Sequence, residues 1–219
     1  MPRFKIPEIT IERLSIYLRA LSKFSDDSII SSQGLAEIVG TTGAQVRKDL
    51  AYFGEFGIPG QGYQVGKLRD EISHILALDR SWRLALVGAG KLGTALLAYP
   101  GFKRKEFQIV VVFDNDPNKV GKKIGGKVIQ GVEEIRKLLP QYGVKIGIIT
   151  TPAEAAQDVA DELVEGGVEG ILNFAPVRIM VPEGVKLKNV DLSMELEILS
   201  YFISHQIKGR KVKYEKSSH

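Results

Sequence analysis

Apolar positions in the first 80 residues recur with helical spacing. Ile11, Leu14, Leu18 and Leu21 share one stripe of "ITIERLSIYLRALSKF" and predict a first helix. In "SSQGLAEIVG", Leu35 and Ile38 form the apolar side, Ser32 is the expected N-cap and Gly40 the stop. A third helix is predicted in "TTGAQVRKDLAYFG", with Thr41 or Thr42 as its cap. Val46, Leu50 and Phe53 face inward there, and Gly54 is the expected stop. The Gly-rich "GEFGIPGQGYQV" interrupts this periodicity, and its alternating Tyr63 and Val65 read as a small β-ribbon. A linking helix, "KLRDEISHILALD", follows.

Beyond Arg80 the pattern changes. "RLALVGAG", "FQIVVVFDND", "KIGIITT" and "GVEGILNF" are near-continuous apolar runs, as expected of strands covered on both faces. Helical patterns lie between them in "KLGTALLAYPG", "GVEEIRKLLPQYG" and "PAEAAQDVADELVEGG". Strand–helix alternation of this kind predicts a parallel, doubly wound sheet. In the last helix, "LSMELEILSYFISHQIKG", Leu192, Leu196, Leu199, Ile203 and Ile207 repeat at helical spacing, and most of the circumference is apolar. A helix apolar all round belongs in an interface, so a homodimer is expected. The chain thus reads as α/β in three parts, 1–80, 81–190 and 191–219.

Composition narrows the chemistry. The absence of cysteine excludes disulfides, thiolate metal sites and thiol redox switching, and no metal site is expected. No apolar stretch approaches membrane-spanning length, and "MPRFKIPEITIERL" lacks the apolar run of an export signal, so a cytoplasmic location is expected. The net charge of +4 says little about partners. Residues 1–80 hold ten basic and ten acidic side chains, and the tail from Lys208 to Lys216 carries an excess equal to the whole +4. That tail, within "KGRKVKYEKSSH", reads as disordered.

Two stretches carry candidate chemistry. Gly88, Gly90 and Gly93 form a G-x-G-x-x-G turn directly after a predicted strand and at the mouth of a helix. The first glycine permits the turn, the second lets a pyrophosphate approach the backbone, and the third packs helix on strand. Asp114 ends the next strand, 26 residues after Gly88, where a ribose-binding acid belongs. A dinucleotide site of Rossmann type is therefore expected. It comprises Gly88, Ala89, Gly90, Lys91, Leu92, Gly93, Thr94 and Asp114, with Thr151 and Pro152 after a later strand. Asp114 favours NAD over NADP, although Lys119 stands five residues on. No catalytic residue emerges: His74, His205 and His219 read as helix-surface or tail residues, and no separate substrate domain is left.

The other stretch is the third helix. Helix, turn, helix and ribbon together read as a winged helix-turn-helix. Arg47 and Lys48 can then reach guanine edges or phosphates, Gln45 can read adenine, and Thr42 can hold a phosphate. Tyr52 shares that outer face, and Gly60, Gln61 and Tyr63 of the ribbon are expected along the DNA backbone or minor groove. A small NAD-dependent oxidoreductase and a CoA-binding module are the rival readings.

The stretches "QVRKDLAYFG", "GYQV", "ALVGAGKLGTALLAYPGF", "FDNDPNKVG", "ILNFAPV" and "NVDLS" together resemble the Rex family of bacterial redox-sensing repressors, from about Ile6 to about Lys208. The resemblance implies a homodimeric winged-helix repressor of a palindromic operator that senses NAD⁺ and NADH. It implies operator binding compatible with NAD⁺ and release of the protein by NADH. It implies a C-terminal helix swapped between subunits, Tyr99 near the nicotinamide, and Arg19 paired with Asp191 in one of two states. The family often has an aromatic residue after that Asp, stacked near the nicotinamide; this chain has Leu192, which implies an apolar contact there that cannot stack.

Overall fold

Helix α1 spans Glu8–Leu21 in the computed structural model, which describes residues 6–57, 60–102 and 106–205. It turns Leu14, Tyr17, Ala20 and Leu21 inward and leaves Ile11 and Leu18 half-buried. The buried stripe thus runs through an aromatic residue that the leucine spacing passes over. The pair Ser32–Val39 (α2) and Gly43–Ala51 (α3) packs against α1, with Leu35, Ala36, Val46 and Leu50 in the common core. Ser31, not Ser32, caps α2: its Oγ accepts from Gly34 N at 2.9 Å. Ile38, expected on the apolar side, is exposed. Thr42 caps α3 by accepting from Gln45 N, and Gly40 closes α2 in the left-handed conformation. The third helix stops at Ala51, earlier than the expected Gly54, so Phe53 packs on the core from a turn.

Two short strands, β1 (Ile29–Ile30) and β2 (Tyr63–Gln64), pair antiparallel and form the base of the ribbon. Val65 is not part of that ribbon. It begins the linking helix α4 (Val65–Ile75), where its buried side chain joins Leu68 and Ile72.

One buried carboxylate ties α3 to α1. Asp49 is fully buried, and Arg13 donates to both of its oxygens, from Nε and Nη2, at 2.6 Å each. Tyr17 Oη donates to Oδ2 at 2.8 Å and Gln45 Nε2 to Oδ1 at 2.9 Å. Burial alone would push the Asp49 pKa up. The bonds from Arg13, Tyr17 and Gln45 outweigh that and hold it below the usual carboxylate value.

The chain divides into two units, Met1–Ser81 and Trp82–His219. In the second, β3 (Trp82–Val87), β4 (Phe107–Asp114), β6 (Lys127–Gly131), β7 (Ile146–Ile149), β8 (Gly170–Asn173) and β9 (Lys186–Asn189) run parallel. A short β5 (Lys123–Ile124) adds antiparallel to β6 through a Gly125–Gly126 turn. Among the described residues the order is β5-β6-β4-β3-β7-β8-β9. Alternate residues of β3 serve opposite faces. Ala85 and Val87 pack with α6 (Ile135–Tyr142) and α7 (Ala153–Glu165), whereas Leu84 and Leu86 pack toward Leu96 and Leu97 of α5 (Lys91–Ala98). Both faces being covered explains the unbroken apolar runs.

Helix α8 (Leu192–Ser204) closes the described chain, and each of its residues is exposed. Ile207 and the basic tail lie outside the described residues.

The Asp49→Ala variant should lose about 3 kcal/mol in urea unfolding of the full chain, because Arg13 and Tyr17 lose their partner. The lowered pKa gives the sign of the pH effect. The Asp49 contribution is complete above the ordinary carboxylate range and is lost as pH falls through the lowered native value, so the variant should lack that part of the acid loss.

Candidate functional site

The sheet reverses its winding between β3 and β7, and a cleft opens at the carboxyl ends of these strands, where such sheets bind ligands. The cleft holds about 530 Å³ and is lined by Gly88, Gly90, Asp114, Lys119, Thr150 and Thr151 among others. Crowding shapes its rim. Gly88 has φ of 102°, and a Cβ there would meet Thr150 O at 2.8 Å. A Cβ on Gly93 would lie 2.0 Å from Gly88 O. Thr150 Oγ1 donates toward Gly88 O at 2.7 Å, which stitches the turn to β7. At Gly90 the opposite holds: a Cβ would find nothing within 4 Å, and φ is an ordinary −79°. The middle glycine leaves open space at the start of α5, where no side chain caps the helix. Backbone N–H groups facing open space at a helix start suit a pyrophosphate.

Asp114 forms the far wall. It is 4% exposed and accepts from Ala89 N at 2.7 Å, Asp116 N at 2.9 Å and Lys119 Nζ at 3.0 Å. Burial disfavours its charge, but these three donors prevail and its pKa lies below the usual value. Among the described residues Thr151 Oγ1 is buried without a hydrogen-bond partner, so a polar group of a bound molecule would complete it.

These observations fit a dinucleotide. The cleft gathers Gly88, Gly90, Asp114, Thr151 and Pro152 from the expected set. Ala89 serves through its N–H to Asp114, and Gly93 lies buried behind the turn. Lys91, Leu92, Thr94 and Tyr99 sit on the exposed side of α5 and just past it, outside the cleft lining. Leu192 is exposed on α8, and Asp191 caps that helix through Oδ1, accepting from Ser193 N and Met194 N. Arg19 is exposed in the last turn of α1. Sequence reasoning misses Asn115 and Thr150 of the lining, which directly follow β4 and β7, and Asp158, which α7 brings to the cleft.

In the first unit, Arg47 and Lys48 stand exposed on α3, and Arg47 Nη1 donates to Ser32 Oγ at 2.6 Å. A shallow groove of about 690 Å³ runs from Ser31 and Arg47 to Gly60 and Gln61 of the ribbon. Tyr52 is also exposed at the end of α3. Two of the expected DNA-facing residues also serve the fold. Tyr63 is 8% exposed and packs in the core, where burial raises its pKa, so it supports the ribbon while bordering the groove. Gln45 directs one amide N–H to Asp49, so that donor serves the fold.

Comparison with known proteins places both halves. Residues 5–51 match a family described as "Putative DNA-binding protein N-terminus", and residues 79–177 match one described as "CoA binding domain". The redox-sensing transcriptional repressor Rex of Carboxydothermus hydrogenoformans is 50% identical over 205 residues, spanning 93% of this chain and 99% of its own. The chain belongs to the Rex family. Rex of Streptomyces coelicolor is 46% identical, covering 90% of this chain and 77% of its own. A solved Rex-family repressor, RSP, in complex with β-NAD⁺ and operator DNA matches with a TM-score of 0.88 at 36% identity, over 93% of this chain and 94% of its own. The same repressor with β-NADH gives 0.82 at 35% identity, over 93% and 96%.

The glycine geometry separates two variants. Gly90→Ala should unfold within about 0.5 kcal/mol of the parent yet bind dinucleotide poorly. Gly93→Ala should lose about 3 kcal/mol of stability through overpacking against Gly88 O. Thermal unfolding beside an NADH titration reads both.

Proposed function

We propose that this protein is a transcriptional repressor that occupies a palindromic operator with NAD⁺ or without nucleotide, and that NADH releases it. The observation that carries the reading is the Asp114 cleft, built on a dinucleotide fold, in one chain with an exposed Arg47–Lys48 helix face. The solved relative held with β-NAD⁺ on operator DNA, and separately with β-NADH, supports it. So do curated relatives of nearly equal length bearing the repressor name, rather than that of an oxidoreductase or a CoA-binding enzyme. The nucleotide is a ligand here and not a consumed substrate, so the protein is not an enzyme, and it acts where the chromosome lies, in the cytoplasm.

In this reading Arg47 and Lys48 contact bases or phosphates, with Thr42, Tyr52, Gly60 and Gln61 as flanking contacts. In the cleft, the start of α5 holds the pyrophosphate, Asp114 takes a ribose hydroxyl, and Thr151 Oγ1 gains its missing partner. Lys91, Leu92, Thr94, Tyr99 and Leu192 would meet the nucleotide only from outside the present lining. Arg19 and Asp191 report which of two states is occupied. The two ligands differ by one positive charge and by ring planarity, and they shift the equilibrium only by their differential affinity for the two states.

Helix α8 supports a dimer. Leu192, Leu196, Leu199, Tyr201, Phe202 and Ile203 are each more than half exposed, a patch expected to be buried against a second copy. Two-fold symmetry would match a palindromic site.

Titration of a labelled palindromic duplex bound to the protein tests the sensor: NADH should release it and NAD⁺ should not. Equal binding of both nucleotides with no change in operator affinity would overturn the reading. Lys48→Ala should weaken operator binding by about 1–3 kcal/mol if the side chain reads a base. An Arg47→Ala, Lys48→Ala double variant with unchanged affinity would remove α3 from the interface. Sedimentation should give a dimer at micromolar concentration.

A further inference from the structure

Lys119 lies in the turn after β4 and helps line the nucleotide cleft. Its ammonium is 3.0 Å from Asp114 Oδ2 and 4.0 Å from Asp116 Oδ2. The two partners differ in setting: the Asp114 side chain is 5% exposed, the Lys119 side chain 39%. The buried anion is therefore met by a cation that reaches it from solvent.

An acid at the end of the second strand of a dinucleotide fold has two tasks. It accepts hydrogen bonds from the adenosine ribose, and its charge opposes a 2′-phosphate. In this cleft the tasks are separated. Oδ2 receives Ala89 N at 2.7 Å and Lys119 Nζ at 3.0 Å, which occupies its two lone-pair directions. Oδ1 receives Asp116 N alone of these donors, at 2.9 Å, and keeps a direction for a ribose hydroxyl. Oδ1 thus keeps hydrogen-bonding capacity while the charge of the carboxylate is paired with Lys119 at 3.0 Å.

We propose that Lys119 is a specificity-determining residue of the cleft: paired with Asp114, it lowers the charge barrier to dinucleotides bearing a 2′-phosphate, so that Asp114 selects chiefly through its hydrogen bond to the ribose. This rests on the nucleotide-binding reading above. It also separates two consequences that charge counting merges. Removal of the cation exposes the full negative charge of Asp114 to a phosphate dianion. Removal of the anion leaves the ammonium with only the 4.0 Å contact to Asp116 and so more attractive to the same group. The two changes therefore move selectivity in opposite directions, whereas loss of a purely structural contact would weaken both nucleotides alike.

The test uses the full-length protein and titrates NADH and NADPH against wild type, Lys119→Gln, Lys119→Arg and Asp114→Asn, with thermal unfolding as the check on folding. The ratio of the NADPH Kd to the NADH Kd should rise about tenfold in Lys119→Gln, as expected for one unit charge acting on a dianion across a partly solvated site. In Lys119→Arg the ratio should stay within about threefold of wild type, and in Asp114→Asn it should fall. The falling ratio in Asp114→Asn keeps the proposal open to refutation even if Lys119→Gln folds poorly or wild type binds NADPH below detection. NADH binding with an unmoved ratio in the Lys119→Gln and Asp114→Asn variants would overturn the proposal and leave the nucleotide site standing. Failure of wild type to bind NADH would overturn both.

Discussion

The second unit depends on how closely the β3–α5 turn approaches β7. Three backbone segments meet where Gly88, Gly93 and Thr150 touch, and no side chain beyond hydrogen can stand at either glycine. That contact fixes the angle at which α5 leaves the sheet. It thereby opens the space in front of Gly90 and sets Ala89 N within reach of Asp114. Tight packing on one side of the turn and emptiness on the other are one constraint seen from two directions. Asp114 also belongs to it: the carboxylate that faces the cleft is the acceptor that holds the turn in place.

The sequence and the structure agree best where the signal is local or repeated. The G-x-G-x-x-G turn, the apolar runs of β3, β4 and β7 and the Thr42 cap each follow from residues within a few positions of one another. Sequence reading falls short where the deciding partner is distant. Asp49 in "QVRKDL" looks like one more solvated charge on a helix, because Arg13 and Tyr17 lie 36 and 32 residues away. Tyr63 looks like an outward ribbon side chain for the same reason: its strand partner, Ile30, sits in a two-residue strand too short to leave a period. The edge strand β9, "KLKN", carries two lysines that hide its pairing with β8. The β5–β6 hairpin does have a signal, the adjacent Gly125 and Gly126, since such pairs favour two-residue turns.

Residues of the expected nucleotide set fall into two groups. Those in the cleft come from strand ends and from the start of α5, positions that the sheet defines by itself. Tyr99 and Leu192 come from the end of a helix and from α8, where exposure is high. A ligand that works a switch must distinguish two states of the protein and not merely occupy one.

Asp49 has an electrical consequence beyond its packing. Helix α3 carries Arg47, Lys48 and Asp49 in succession, yet its single acid is turned inward and neutralised by Arg13 from another helix. The outer surface of α3 is therefore doubly positive although residues 1–80 sum to zero. Charge separated in this way gives the unit a dipole moment rather than a net charge. In the field of a polyanion such a body turns before it touches, so its encounter rate is governed by orientation and by ionic strength.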